Sequence, residues 1–291
     1  MSIVAAKTTD ARGGKIPSPL EVALIWVTTG VVMIAVSTGF AFMATEIAKA
    51  SGVPMSVLKD PELSPVLTHP LWVAGGTLAV ELSLLGVVGA WIWVLKPSLA
   101  QVLPIRAPAA RELLGALLLV FGVMPLASAS AEVVYRLVGD ELTASDLVGI
   151  TAPRASLGEL AALIHALAFA PALAEEAMFR GLITGAFVSR SRALAVLLPS
   201  AMFGLFHLEP TQAAGTMVLG ISFGLTRVYT GSIVPCAVAH CLYNAVIVLM
   251  MRHNPVIEHT IRIWPIFVGL SVSALGFVIL RRGGLPCYRT A

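Results

Sequence analysis

The stretch "ALIHALAFAPALAEEAMFRGLITGAF", residues 162–187, decides what kind of fold this chain can adopt. It is a long apolar run that contains two adjacent glutamates and an arginine, Glu175, Glu176 and Arg180. A run of this length can cross the hydrocarbon core of a bilayer, which takes about 20 helical residues. Because each charge at the centre of such a helix costs about 2.5–3.5 kcal/mol on insertion scales, the cluster indicates a functional requirement.

The composition of the whole chain also indicates a membrane protein. Of the 291 residues, 57% are hydrophobic and only 12% are charged, which is about half the charged fraction of a soluble domain. Eight apolar segments alternate with turn and interface signals. We therefore predict an all-α, polytopic integral membrane protein with about eight transmembrane helices, its polar residues concentrated in the C-terminal half. The segments are 20–46, 71–95, 112–137, 158–189, 192–206, 213–229, 234–251 and 263–280.

The basic residues are scattered between the apolar segments, and no basic patch predicts a nucleic-acid partner. Their expected role is to orient the chain in the lipid bilayer. In an eight-span arrangement, twelve Lys and Arg residues fall on one side and six on the other. We expect the twelve-residue side to be cytoplasmic, with both termini inside and the plasma (inner) membrane as the location. The twelve are Lys7, Arg12, Lys15, Lys96, Arg106, Arg111, Arg190, Arg192, Arg227, Arg281, Arg282 and Arg289; the six are Lys49, Lys59, Arg136, Arg154, Arg252 and Arg262.

The charged cluster has a defined helical geometry. Glu176 and Arg180 are four residues apart with the acid first, which is the favourable order for an ion pair on one helix face. Glu175 points about 100° away and is left available for chemistry. Pro171, one turn earlier, removes a backbone N–H and predicts a kink that opens polar backbone to a cavity.

Two later segments add imidazoles and an amide. "FGLFH" ends at His207, and "HCLYN" places His240 and Asn244 on one helix face. A lone membrane histidine most often makes only a helix–helix hydrogen bond, but the combination supplies what hydrolysis requires. A carboxylate walled off from water is a strong base, so Glu175, aided by His207, would activate a water. His240 and Asn244 would donate hydrogen bonds to the oxyanion.

The motifs "EEAMFR", "FGLFH" and "HCLYN", in this order and at helical spacing, resemble those of the CAAX-protease and bacteriocin-processing family of intramembrane proteases. The resemblance covers about residues 158–251. It implies a catalytic helical bundle in the C-terminal half and an endopeptidase that cleaves near the terminus of a membrane-associated protein or peptide. Glu175, His207, His240 and Asn244 fall on the family's catalytic positions, and Glu176 and Arg180 on its bracing positions.

The resulting organisation has four parts. Residues 1–19 form a polar tail, 20–150 the N-terminal transmembrane helices, 151–255 the protease core, and 256–291 the last transmembrane helix and a cytoplasmic tail. Neither the oligomeric state nor the role of residues 1–150 follows from the sequence.

Several alternatives stay open at this level. We expect no metal, but Glu175, His207 and His240 could supply three zinc ligands and leave the fourth position for water. A non-catalytic scaffold or immunity protein could keep the motifs, and a proton-coupled transporter also uses intramembrane acids and histidines. Outside the core, Glu132 and Arg136 predict a structural ion pair, and Glu81 is an intramembrane acid without an evident partner.

Overall fold

The computed structural model describes residues 15–53, 66–139, 144–254 and 261–283, and within these ranges the chain is helical and contains no β-strand. Each of the eight predicted segments coincides with one helix, which confirms the all-α fold. Residues 1–14, 54–65, 140–143, 255–260 and 284–291 lie outside the described residues. These eight helices are α1 (Pro19–Ala50), α2 (Pro70–Leu95), α3 (Ala110–Val138), α4 (Leu157–Phe187), α5 (Arg192–Phe206), α6 (Pro210–Thr230), α7 (Val234–His253) and α8 (Ile263–Arg281). Shorter helical stretches occur at Leu99–Val102, Ala144–Thr151 and Ala152–Arg154.

Six of these helices are long and apolar enough to cross a membrane: α1, α2, α3, α4, α7 and α8. Helix α5 is apolar but has only 15 residues, and α6 is not among the helices that meet both criteria. The chain is therefore an integral membrane protein, but the expected number of eight spans is not confirmed.

Local sequence signals explain where the helices begin. Ser18 caps α1 and forms a reciprocal capping box with Glu21, and Ser156 does the same with Glu159 at the start of α4. Proline occupies the first position of α1, α2 and α6, where its missing N–H costs nothing.

Small residues allow backbones to approach closely. A Cβ atom at Gly122 of α3 would lie 2.6 Å from the backbone nitrogen of Ser273 in α8, so no larger residue fits there without separating the two helices. One at Gly181 would lie 2.6 Å from the carbonyl oxygen of Val102, in a short helical turn at Leu99–Val102. One at Gly220 would lie 3.0 Å from the Cα of Ser200. These glycines therefore lie where neighbouring backbones approach most closely.

Basic residues make contacts between separate segments at one end of the bundle. Arg106 donates to the carbonyl oxygen of Thr230 at 2.7 Å, and Arg190 donates to that of Pro17 at 3.1 Å. Lys15 forms an isolated β-bridge with Pro97. Residues predicted to share one side of the membrane thus lie together, whereas the side that faces the cytoplasm stays a prediction.

Candidate active site

Helix α4 carries the charged cluster and departs from regular α-helical geometry twice. The chain is π-helical over His165–Phe169 and again over Glu176–Ile183, with a short α-helical stretch at Ala170–Glu175 between them. Every residue from 174 to 188 is buried. π-Helical turns in α-helices are uncommon and frequently lie at functional sites. The second turn therefore indicates that this part of α4 belongs to a functional site.

Glu176 lies at the centre of a fully buried ionic network. Its Oε1 accepts a hydrogen bond from Nη1 of Arg180 at 3.1 Å, which confirms the predicted ion pair. The same oxygen lies 3.0 Å from Nδ1 of His240 on α7. Arg180 also donates from Nη2 to the carbonyl oxygen of Gly220 at 3.1 Å. The network therefore joins helices α4, α6 and α7.

Glu175 approaches the other side of the same imidazole. Its Oε2 lies 3.6 Å from Nε2 of His240, and the glutamate is 7% exposed. The two adjacent glutamates thus differ in that only Glu176 pairs with Arg180, yet both face His240. Helix α2, which carries the buried Glu81, packs against the Ala170–Glu175 stretch of α4.

Two phenylalanines pack against the Arg180 guanidinium and the His240 ring. The guanidinium carbon of Arg180 lies 4.5 Å from the ring centroid of Phe203 and 4.9 Å from that of Phe223. The His240 ring stacks on Phe223 with centroids 4.9 Å apart. Aromatic faces attract cations when water is excluded, so these rings hold the guanidinium and the imidazole in place.

His207 terminates α5 and meets the network through Phe203. Its ring contacts the Phe203 ring edge-on at 5.1 Å, and Phe203 in turn contacts His240 at 6.1 Å. Nδ1 of His207 lies 2.9 Å from the carbonyl oxygen of Phe203. That carbonyl can only accept, so Nδ1 carries the hydrogen, and Nε2 is the nitrogen that remains for chemistry.

Asn244, one turn after His240, is hydrogen-bonded to the backbone of α4. Its Nδ2 donates to the carbonyl oxygen of Leu167 at 3.0 Å. Pro171, four residues after Leu167, has no N–H with which to reach this carbonyl. Pro171 was predicted to leave polar backbone atoms without their helical partners. Asn244, a residue of the third motif, donates a hydrogen bond to one of these atoms, the Leu167 carbonyl oxygen.

The described residues also include polar groups that the motifs did not reveal. Arg227 on α6 is 1% exposed, and its Nε donates to the carbonyl oxygen of Arg180 at 3.0 Å. The sequence indicated only a topological role for it, although an arginine in an apolar helix was itself a signal. Glu81 was noticed, but its neighbours could not be named. The Glu132–Arg136 ion pair forms as predicted, at 2.6 Å.

The possible zinc ligands Glu175, His207 and His240 do not form a cluster. Within the parts of the chain that the structure describes, no three His, Cys, Asp or Glu side chains are grouped so that they could hold a metal ion. The expectation of a metal-free site stays a prediction.

The fold and this network define a class: polytopic helical membrane proteins with a buried glutamate–histidine–arginine cluster. Residues 157–246 match the family described as type II CAAX prenyl endopeptidase Rce1-like. The match covers 90 of 291 residues and includes all three motifs, and it confirms the resemblance. Since this is a family of membrane proteases, it supports a function of the CAAX-protease type. No curated protein and no solved structure matches the chain.

Proposed function

We propose that this chain is an intramembrane endopeptidase that hydrolyses a peptide bond near the terminus of a membrane-associated protein or peptide. The observation that carries the proposal is the buried network in which His240 lies between Glu175 and Glu176, with Arg180 bound to the second glutamate. A bilayer protein that needed only to fold would not require four ionisable side chains that are each less than 10% exposed.

Glu175 and His207 would carry out the first step. Glu175 removes a proton from a water, and the oxygen of that water attacks the carbonyl carbon of the scissile bond. Glu175 suits this role because Arg180 pairs with Glu176 and not with it. His207, with Nδ1 bonded to the Phe203 carbonyl, presents Nε2 to orient the water.

His240 and Asn244 would stabilise the tetrahedral intermediate. His240, held at Nδ1 by Glu176, would donate a hydrogen bond to the oxyanion from Nε2, the nitrogen that faces Glu175. Asn244 uses one amide hydrogen for Leu167, and its second is free to serve the oxyanion. The proton taken by Glu175 then passes to the amine nitrogen as the C–N bond breaks, and the base returns to its starting state.

The substrate class stays open between a prenylated C-terminal box, a leader peptide and the tail of a membrane protein. The first is suggested by the description of the matched family. We further propose that the protein resides in the plasma membrane with both termini in the cytoplasm, works without a metal and binds no nucleic acid.

Glu175→Gln tests the mechanism, because it removes the base and keeps the shape. Three peptides are offered to the native protein in liposomes: a farnesylated peptide with three residues after the modified cysteine, its unprenylated counterpart and a leader peptide. The purified Glu175→Gln variant should be folded but unable to cleave the peptide that the native protein cleaves. Glu132→Gln is the matched control, because it changes a glutamate of helix α3 that lies outside the network and should leave cleavage unchanged.

The possible outcomes separate the alternative functions. Cleavage at the native rate by folded Glu175→Gln would contradict the proposed base. If cells with native protein and cells with Glu175→Gln show the same termini across their membrane proteome, the scaffold function is favoured. Proton flux into liposomes that requires Glu175 would indicate a transporter.

A further inference from the structure

Glu81 is a buried acid that the proposed mechanism does not use. It is the twelfth of the 26 residues of α2, close to the middle of the span, and it is only 6% exposed. Leu84 and Val88 continue the same buried stripe and join the core cluster that contains Ala177 and Met178 of α4. Glu81 is thus placed at the interface between α2 and the charged helix.

The carboxyl group of Glu81 is not satisfied by the described part of the protein. Its Oε2 is buried there without a hydrogen-bond partner. A buried charge without a partner is strongly unfavourable, and none of the ion pairs found among the described residues includes Glu81. The stretch of α4 against which α2 packs, Ala170–Glu175, ends at another acid, Glu175.

The basic side chains beside Glu175 contact two of the three carboxylates, those of Glu175 and Glu176, and not that of Glu81. On α4, Glu176 pairs with Arg180; from α7, His240 lies between Glu175 and Glu176. A negative charge on Glu81 of α2 would repel the Glu175 carboxylate in an apolar medium, where such repulsion is strong.

We propose that Glu81 is a positioning residue of the active site, a carboxylic acid that keeps its proton and donates a hydrogen bond to the Glu175 carboxylate, directly or through one water. This inference rests on the proposed function of Glu175. Glu81 would orient the base toward the attacking water, and α2, outside the matched segment 157–246, would complete the site.

Two substitutions distinguish this role from simple packing. Glu81→Gln keeps a donor that cannot ionise, so it should retain kcat within about threefold of the native value. Glu81→Leu removes the donor and fills the space with an apolar side chain. It should lower kcat by about 10- to 100-fold, the scale of one lost hydrogen bond to a charged group, with KM unchanged and thermal stability equal to or above that of the native protein. Glu132→Leu is the control for a glutamate of helix α3 that lies outside the site.

A second measurement does not depend on cleavage. The infrared spectrum of the native protein in detergent should contain the carbonyl stretch of a protonated carboxylic acid, sensitive to D₂O, which is lost in both Glu81 variants. Native turnover in Glu81→Leu, equally slow turnover in both variants, or persistence of the infrared band in both would each overturn the proposal. If the native protein cleaves no peptide, the proposed function fails, and the infrared band alone decides whether Glu81 holds a proton.

Discussion

At the scale of single residues, Asn244 has two tasks that can be separated. One amide hydrogen is bonded to the Leu167 carbonyl oxygen, at the place where Pro171 provides no backbone N–H. The same side chain is the proposed second donor to the oxyanion. The Asn244 amide thus has a structural role, the hydrogen bond to Leu167, and a proposed chemical role, the hydrogen bond to the oxyanion. A substitution of Asn244 alone would affect both.

Asn244→Ala should therefore reduce stability and turnover together. We expect a loss of about 1–3 kcal/mol in the free energy of unfolding, the cost of a buried carbonyl without its partner, and a fall in kcat of about a hundredfold or more. Adding Pro171→Ala supplies a backbone N–H four residues after Leu167 and should recover the stability but not kcat. Thermal unfolding in detergent and peptide cleavage are measured for both single variants and the double variant.

The double variant gives the decisive result. If it recovers turnover as well as stability, Asn244 only docks α7 on α4 and donates nothing to the reaction. If Asn244→Ala unfolds at the native temperature, the hydrogen bond to Leu167 contributes nothing measurable.

At the scale of secondary-structure elements, α4 shows both the reach and the limit of sequence analysis. The spacing of Glu176 and Arg180 predicted their ion pair correctly, because neighbours on one helix follow from periodicity alone. The π-helical turn over Glu176–Ile183 was not predicted, since no residue pattern marks it. The contact of His240 with both glutamates was also beyond the sequence, because helix periodicity does not say which face of α7 meets α4.

The ion pair in this π-helical turn should brace α4 and take no part in the chemistry. Arg180→Met leaves Glu176 charged, buried and bound only to His240, which should cost about 3–5 kcal/mol of stability. The double change Glu176→Gln with Arg180→Met removes both charges, keeps an amide oxygen for Nδ1 of His240, and places a thioether between Phe203 and Phe223, where it packs well. The double variant should recover abundance and part of the activity.

Thermal stability in detergent and peptide cleavage are compared across Arg180→Met, the double variant and Glu175→Gln, which should show normal abundance without activity. If Arg180→Met is stable yet inactive, Arg180 contacts the substrate or the reacting atoms, and the division between bracing and chemistry is wrong.

At the scale of the whole molecule, the sequence predicted where the long helices lie, but it did not predict which of them cross the membrane. Long apolar runs predicted the bounds of helices α1 to α8 to within a few residues. Burial in lipid requires continuous apolar sequence, which makes such helices recognisable. The predicted number of eight spans is not confirmed, because α5 is too short and α6 is not among the helices that are both long and apolar enough to cross a membrane. Glu81 could not be assigned a neighbour either, because the packing of α2 against α4 depends on the tertiary fold.

The orientation of this bundle can be tested with two cysteines. Ser51 follows α1 at the end opposite to Lys15, and Ala107 lies in the connection to α3, beside Arg106; both are exposed. In a background with Cys236, Cys241 and Cys287 replaced by alanine, Ser51→Cys should react with a membrane-impermeant maleimide added to intact cells. Ala107→Cys should react only after the membrane is permeabilised, because the end of the bundle rich in Lys and Arg is expected inside.

The reversed labelling pattern would invert the orientation and place both termini outside. Labelling of both positions from the same side would contradict a membrane crossing by α2, and with it the placement of Glu81 near mid-bilayer. The labelling experiment therefore bears on the proposed site as well as on the topology, because an α2 that does not span could not bring a carboxyl group to Glu175 within the apolar layer. Native cleavage by both cysteine variants provides the control that the label reports on the folded protein.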